Sequence, residues 1–170
     1  MFAFARPTAR FAVAAASVAT LMVAAPQASA AEETVGAVQI TPEASQETRD
    51  FVAANRAEAA AAANVCGSGY SVSKAIPLPQ GTDPRERLAT LFTYVGQAGG
   101  CAILDNNTGR AHSMTLQVCD GYPGTRCDSD SGTFSQYAGP VYTRHQICAT
   151  VTAKLSTFVN YRSQYAFSCN

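Results

Sequence analysis

The chain lacks tryptophan, contains only two histidines, and has charged residues at 14% of its 170 positions. Nucleophilic catalysis needs a serine or cysteine beside a base and an orienting group, and no serine here lies in a GxSxG elbow. No CxxC motif is present, and His112 and His145 stand at no zinc-finger spacing. We expect both histidines to face solvent, and we expect no metal, no cofactor and no enzymatic activity.

Paired carboxylates are the remaining route to catalysis, because a glycosidase needs two of them across a cleft. Four aspartates stand in segments with turn chemistry, where Asp bonds the local backbone: Asp105, Asp120, Asp128 and Asp130. The run 128–132 resembles a calcium loop, but its glycine comes one position early and no Glu occupies the twelfth place. We therefore expect plain turns at these positions.

Excess positive charge and long apolar runs are also absent. Twelve basic and twelve acidic side chains balance formally, and removal of the first thirty residues leaves ten bases against twelve acids. Such a balance gives no long-range attraction to nucleic acid or to an anionic membrane. The longest apolar run, 11–25, is about fifteen residues, short of the ~20 that cross a bilayer. We expect neither a nucleic-acid partner nor a membrane span.

Residues 1–30 have the three parts of an export signal. Arg6 and Arg10 form the positive start, the run 11–25 is the apolar segment, and Ala28-Ser29-Ala30 supplies the small residues before a cleavage site. Six cysteines follow, all beyond residue 65, and thiols persist as disulfides only in an oxidising compartment. The sequence therefore predicts a secreted protein, extracellular or associated with the cell or spore surface.

Residues 31–64 are predicted to form an acidic leader with one Ala-rich helix. Thr41 suits the N-cap, Pro42 suits the first helical position, and 44–63 contains strong helix formers with no Gly or Pro. Phe51 and Val52 are its only large apolar residues, so the helix carries little hydrophobic area to bury. This pattern favours a solvated spacer or arm outside the core.

Residues 65–170 are predicted to form a disulfide-bonded β domain. Turn residues separate about seven short segments with strand character: 70–73, 88–95, 101–104, 113–119, 133–138, 146–153 and 161–168. The segment 76–86 contains three prolines and is predicted to be a loop or an edge. Regular spacing of this kind favours a mostly β fold, a small antiparallel sandwich or barrel.

Six cysteines allow fifteen connectivities, and sequence alone does not select one. Cys119 and Cys127 bracket a turn-rich link between two strand segments, and hairpin ends bring α-carbons within disulfide distance. We predict that these two pair with each other. For the other four, one set joins Cys66 to Cys169 and Cys101 to Cys148, and the rival set joins Cys66 to Cys101 and Cys148 to Cys169.

Two stretches carry a resemblance to a known family. Residues 65–70 are VCGSGY, and residues 130–142 are DSGTFSQYAGPVY. Together they resemble the spore-associated protein A family of small secreted actinomycete proteins, over about residues 65–170. Cys101, Cys148 and Cys169 also fall where the later cysteines of that family would. The resemblance implies an extracellular, surface- or spore-associated role and transfers no catalytic residues.

The seven tyrosines, all in the β domain, suggest a contact surface. Exposed tyrosines stack on sugar rings or anchor protein partners, although tyrosine also half-buries well on a sheet because of its strand propensity. Gly139-Pro140 is expected to break a strand between Tyr137 and Tyr142 and to set both rings at a rim. The leading hypothesis is a secreted, non-enzymatic binding module whose partner is a cell-wall or spore-surface component.

A tethered loop motivates the alternative hypothesis. The predicted Cys119–Cys127 bridge would present Tyr122 or Arg126 rigidly to another secreted protein, and rigidity favours tight binding. A secreted protease inhibitor or antagonistic effector is therefore the second reading.

Overall fold

The computed structural model describes residues 33–35, 38–121, 126–144 and 148–167. These residues form ten strands in two sheets, together with two α-helices that cover one face of the larger sheet. The mostly β, two-sheet architecture confirms the predicted fold class. The predicted export signal, residues 1–30, lies outside the described residues.

The large sheet has six strands in the order β1-β2-β3-β4-β5-β8. Their bounds are Glu33–Val35, Val38–Ile40, Tyr70–Leu78, Ala89–Gly96, Gly99–Asn106 and, for β8, Tyr137–Thr143. Neighbouring strands are antiparallel except β2 and β3, which pair in parallel where Ile40 meets Val72.

The small sheet has four antiparallel strands in the order β10-β9-β6-β7. Their bounds are Val159–Ser163 for β10, Thr150–Leu155 for β9, His112–Cys119 for β6 and Cys127–Phe134 for β7. On β6, Met114, Leu116 and Val118 are buried toward the large sheet, and the residues between them are half-buried. The predicted alternation of this strand is confirmed. It arises because only one face of the small sheet contributes to the core between the sheets.

The helical layer covers the opposite face of the large sheet. Helices α1 (Gln46–Ala54) and α2 (Arg56–Cys66) bury Phe51, Val52, Ala59 and Ala62 against that face. The expectation of a solvated arm is therefore wrong. Alanine contributes little area, but its small side chain lets a helix approach closely, and the sheet supplies the bulk through residues such as Phe92.

The helix boundaries also differ from the prediction. The helical segment starts at Ser45, whose hydroxyl accepts from the Thr48 N–H at 3.2 Å, whereas the backbone of Thr41 bonds the carbonyl of Val72. It breaks at Asn55, whose side-chain amide donates to the Phe51 carbonyl at 2.9 Å. Among the described helices, none is long and apolar enough to cross a membrane.

The disulfides correct part of the predicted connectivity. Cys119 pairs with Cys127, as predicted. Cys66 pairs with Cys101, so the set that joined Cys66 to Cys169 and Cys101 to Cys148 is wrong. The α-carbons of Cys66 and Cys101 are 6.0 Å apart, because the C-terminus of α2 lies directly over β5. Cys148 is also disulfide-bonded, and Cys169 lies outside the described residues.

Two segments whose sequences do not favour strands form strands in the structure. The run 128–132, predicted as a turn, lies within β7, and β8 continues through Gly139-Pro140 where a break was expected. The predicted strand 133–138 instead contains the turn between β7 and β8. Pro140 is accommodated because it lies at the register shift between Ala102 and Leu104 of β5, where its missing N–H leaves no ladder partner unpaired.

The helical layer gives a direct stability test. Phe51 is 7% exposed, its ring meets Phe92 edge-on at 6.2 Å, and the Arg87 guanidinium lies 5.0 Å from its centroid. We expect Phe51→Ala to lower the free energy of unfolding by about 3 kcal/mol through lost burial and cavity formation. Phe158→Ala removes a ring that is 54% exposed and is expected to cost less than about 1 kcal/mol. Denaturant unfolding of both variants measures the difference, and equal costs would contradict the packed layer.

Candidate functional site

Two carboxylates of β7 bind the outer edge of β8. Asp130 Oδ2 accepts from the Gly139 N–H at 2.8 Å, and Asp128 Oδ2 accepts from the Tyr142 N–H at 2.8 Å. Because β8 is an edge strand, N–H groups that face away from β5 have no strand partner. Residues two apart on a strand share a face, so both aspartates reach the same edge. This contact joins the two sheets and holds the backbone of Tyr142.

Tyr142 lies in an open cleft of about 410 Å³ beside the Cys119–Cys127 disulfide. Its ring is 41% exposed, and its centroid is 6.4 Å from that of Tyr70, with the planes tilted by 52°. Its hydroxyl donates to the Cys66 carbonyl at 3.4 Å. Burial, and to a lesser degree Tyr142, raises the pKa of Tyr70. We call this site the tyrosine cleft; its charged and aromatic lining is Tyr70, Asp120, Arg126, Asp128, Tyr142 and Arg144.

Asp120 organises the part of the tyrosine cleft next to the Cys119–Cys127 disulfide. This residue is 8% exposed; its N–H donates to the Arg126 carbonyl at 3.0 Å, and its carboxylate accepts from the Thr143 hydroxyl. The disulfide beside it brings the α-carbons of Cys119 and Cys127 to 4.0 Å. The base of the β6–β7 loop and the end of β8 therefore share one buried carboxylate.

Close backbone approach completes the cleft on the side of the β4–β5 hairpin. Gly99 has a φ of +131°, and a Cβ there would lie 1.9 Å from the Thr143 carbonyl oxygen. Only glycine allows both this conformation and this approach. The end of β8, with Tyr142 and Arg144, therefore sits directly against the hairpin.

Three of the four predicted contact residues lie among the described residues, and they separate into two places. Tyr142 and Arg126 line the tyrosine cleft together, whereas Tyr137 lines a different cavity beneath α2. Tyr122 lies outside the described residues. Sequence reasoning missed Tyr70 and Arg144, because only strand pairing across the large sheet brings the ends of β3 and β8 to one cleft.

The second cavity, about 330 Å³, contains a pair of carboxyl groups. Glu58 of α2 and Asp105 of β5 both line it, next to Tyr137. The Asn107 amide bridges them, donating to Glu58 Oε1 at 3.0 Å and to Asp105 Oδ2 at 3.3 Å. Arg87 forms an ion pair with Glu58, and each of these two side chains is 15% exposed. We call this group the Glu58–Asp105 network.

The network holds a proton more tightly than an isolated carboxyl group would. Burial, and then the charge and hydrogen bond of Glu58, raise the pKa of Asp105 from 3.8 to about 6, while the Asn106 N–H and Arg87 act in the opposite direction. Burial is also the main cause of the raised pKa of Tyr94, whose hydroxyl donates to the Ala59 carbonyl at 3.0 Å.

The geometry of this pair suits helix anchoring better than glycoside hydrolysis. A retaining glycosidase holds its two carboxyl groups about 5–5.5 Å apart, and an inverting enzyme holds them further apart. Here the Asn107 amide bridges the two carboxyl groups, and both oxygens of Glu58 are occupied, Oε2 by Arg87 and Oε1 by Asn107. The expectation of a turn at Asp105 is wrong, because this residue lies in β5.

Of the two histidines, His112 lies among the described residues. His112 packs edge-on against Phe158 at 5.7 Å, and its Nδ1 lies 3.4 Å from the Ser156 hydroxyl. His145 lies outside the described residues. Within the part of the chain that is described, no three His, Cys, Asp or Glu side chains are grouped so that they would hold a metal ion.

Comparison of the chain with protein-family models, with curated proteins and with solved structures finds no match. The candidate site therefore stands on its own geometry, and the resemblance to spore-associated protein A stays a prediction from the sequence.

The raised pKa of Asp105 predicts a pH-dependent stability. The folded protein binds this proton more tightly than the unfolded chain, so the stabilisation is complete below about pH 4 and is lost as the pH rises to about 6. Asp105→Asn mimics the protonated form, because its side chain has a similar shape and no charge. We expect the variant to equal wild type below about pH 4 and to be more stable at pH 7. Denaturant unfolding from pH 3.5 to 7.5 tests this, and a constant difference between the two proteins would contradict it.

Proposed function

We propose that the protein is a secreted, non-enzymatic binding module of the cell or spore surface, and that the tyrosine cleft contacts a sugar polymer there. The observation that carries the proposal is the Tyr70–Tyr142 pair, which presents a ring 41% exposed over an open cleft. Tyrosine has an apolar face for a sugar ring and a polar tip for hydroxyl groups. Arg126, Arg144 and Asp128 add hydrogen-bonding groups around the rings.

The construction of the cleft supports a binding role. Cys66–Cys101 and Cys119–Cys127 lie beside it, and its walls come from strands of both sheets. A preformed site binds without a large ordering cost. The disulfides also suit an oxidising, extracellular compartment, and the sequence resemblance adds the surface- or spore-associated setting to the proposal.

A second candidate is a protease inhibitor that presents the Cys119–Cys127 loop. The observation that favours it is the cross-linked loop base, where the Asp120 N–H also bonds the Arg126 carbonyl. Inhibition of a trypsin-like protease by the purified protein, lost in Arg126→Ala, would support this function. Full protease activity in the presence of excess protein would contradict it.

Cosedimentation tests the binding module. Purified protein is mixed with peptidoglycan, chitin, cellulose and spores, and retention is measured as a function of concentration. We expect saturable retention on at least one material and a loss of at least about tenfold in Tyr142→Ala, the scale of about 1.4 kcal/mol for a stacked aromatic contact. Tyr142→Phe keeps the ring and is expected to bind like wild type.

Tyr165→Ala is the matched control, since this tyrosine is 56% exposed and is not among the residues that line the cleft. We expect it to leave retention unchanged. Protein left in every supernatant, or equal retention of the Tyr142→Ala and wild-type proteins, would contradict the proposed function. Thermal unfolding of each variant separates a binding defect from a folding defect.

A further inference from the structure

The charged side chains of the tyrosine cleft are not equally available to a ligand. The two carboxylates already serve the protein: Asp128 accepts from the Tyr142 N–H, and Asp120 accepts from the Thr143 hydroxyl. The side chains of Arg126 and Arg144 are exposed and form no hydrogen bond or ion pair with the described residues. The cleft has two acids and two bases, so its formal charge is balanced, and the charged groups in it that make no bond to the described residues are the two guanidinium groups.

The position of both arginines depends on one buried group. The Arg126 carbonyl accepts from the Asp120 N–H, and Arg144 directly follows Thr143, which donates to the Asp120 carboxylate. Arg126 and Arg144 thus line the same cleft as the tyrosine pair, and both are anchored at the cross-linked base of the loop. Guanidinium groups bind carboxylates and phosphates through paired N–H donors, a geometry that neutral sugars do not match.

We propose that the ligand of the tyrosine cleft is an anionic glycan, a sugar polymer that carries carboxylate or phosphate groups. Tyr70 and Tyr142 contact the sugar ring, and Arg126 and Arg144 pair with its acidic substituents. This inference rests on the proposed function and names its ligand class. General attraction to polyanions does not explain it, because ten basic and twelve acidic side chains remain after the predicted export signal is removed.

The test measures affinity for three probes by isothermal titration calorimetry at 50 mM and 200 mM salt. Oligogalacturonate carries carboxylates, poly(glycerol phosphate) carries phosphodiesters, and chitin oligosaccharide is neutral. We expect at least one anionic probe to bind at least tenfold more tightly than the neutral one, and to bind more weakly at high salt. The preferred anionic probe then assigns the acidic group as carboxylate or phosphate.

The arginine variants test the site. We expect Arg126→Ala with Arg144→Ala to reduce affinity for the preferred anionic probe at least tenfold, and Lys at both positions to recover only part of it. Arg162→Ala removes an exposed arginine of β10 and is expected to change affinity less than twofold. Circular dichroism and thermal unfolding establish that the variants are folded.

The outcomes separate this inference from the proposed function. Binding of neutral glycan that equals anionic binding and depends on Tyr142 would overturn the anionic assignment and leave the binding module in place. Equal losses of affinity in Arg162→Ala and in the variant that carries both Arg126→Ala and Arg144→Ala would show non-specific electrostatic attraction. That result would also overturn the anionic assignment. Absence of binding to all three probes overturns the inference, and absence of retention in cosedimentation as well overturns both proposals.

Discussion

The fold depends on a hairpin, β4–β5, that is covered on both faces. Leu91 and Leu104 face the small sheet, whereas Phe92 and Ile103 face the helices. A strand pair with apolar side chains on both faces is stable only when a layer packs on each side. The small sheet and the two helices therefore have equivalent roles, and the helices cannot be a separate arm.

The contacts that hold the helical layer also build the tyrosine cleft, where we propose that a ligand binds. At one end of α2 the Glu58–Asp105 network ties the helix to β5, and at the other end the Cys66–Cys101 disulfide does so. Cys101 is the register partner of Tyr142, whose hydroxyl reaches the Cys66 carbonyl. The tyrosine cleft is thus built on the covalent end of the helix, and the proton-binding network lies at the other end.

Local patterns in the sequence predicted those elements whose environment is simple. The sequence predicted the alternation of β6 because one face of that strand is buried. It predicted the Cys119–Cys127 disulfide because these residues lie at the two ends of a hairpin. The sequence did not predict β7, since Asp and Gly disfavour strands. This strand pairs with β6 along its length, and its aspartates bond the edge of β8.

The residues of the candidate site were likewise only partly predictable from the sequence. Arg126 and Tyr142 were predicted as contact residues from the loop and from tyrosine chemistry. Their partners Tyr70 and Arg144 carry no local signal, because they join the site only through the order of strands in the large sheet. Likewise, Glu58 and Asp105 are far apart in the sequence and meet only because α2 lies on β5.

The polar groups at the junction of the sheets explain how a small protein keeps an exposed aromatic site ordered. Asp128, Asp130 and Asp120 each satisfy donors at or beside the edge of β8 that would otherwise face solvent or a partner strand. The edge is thereby closed to pairing with another chain, and one carboxylate oxygen of each aspartate is engaged by the protein. We therefore propose that recognition in the cleft depends on the tyrosine rings and on the two arginines, whose guanidinium groups form no hydrogen bond or ion pair with the described residues.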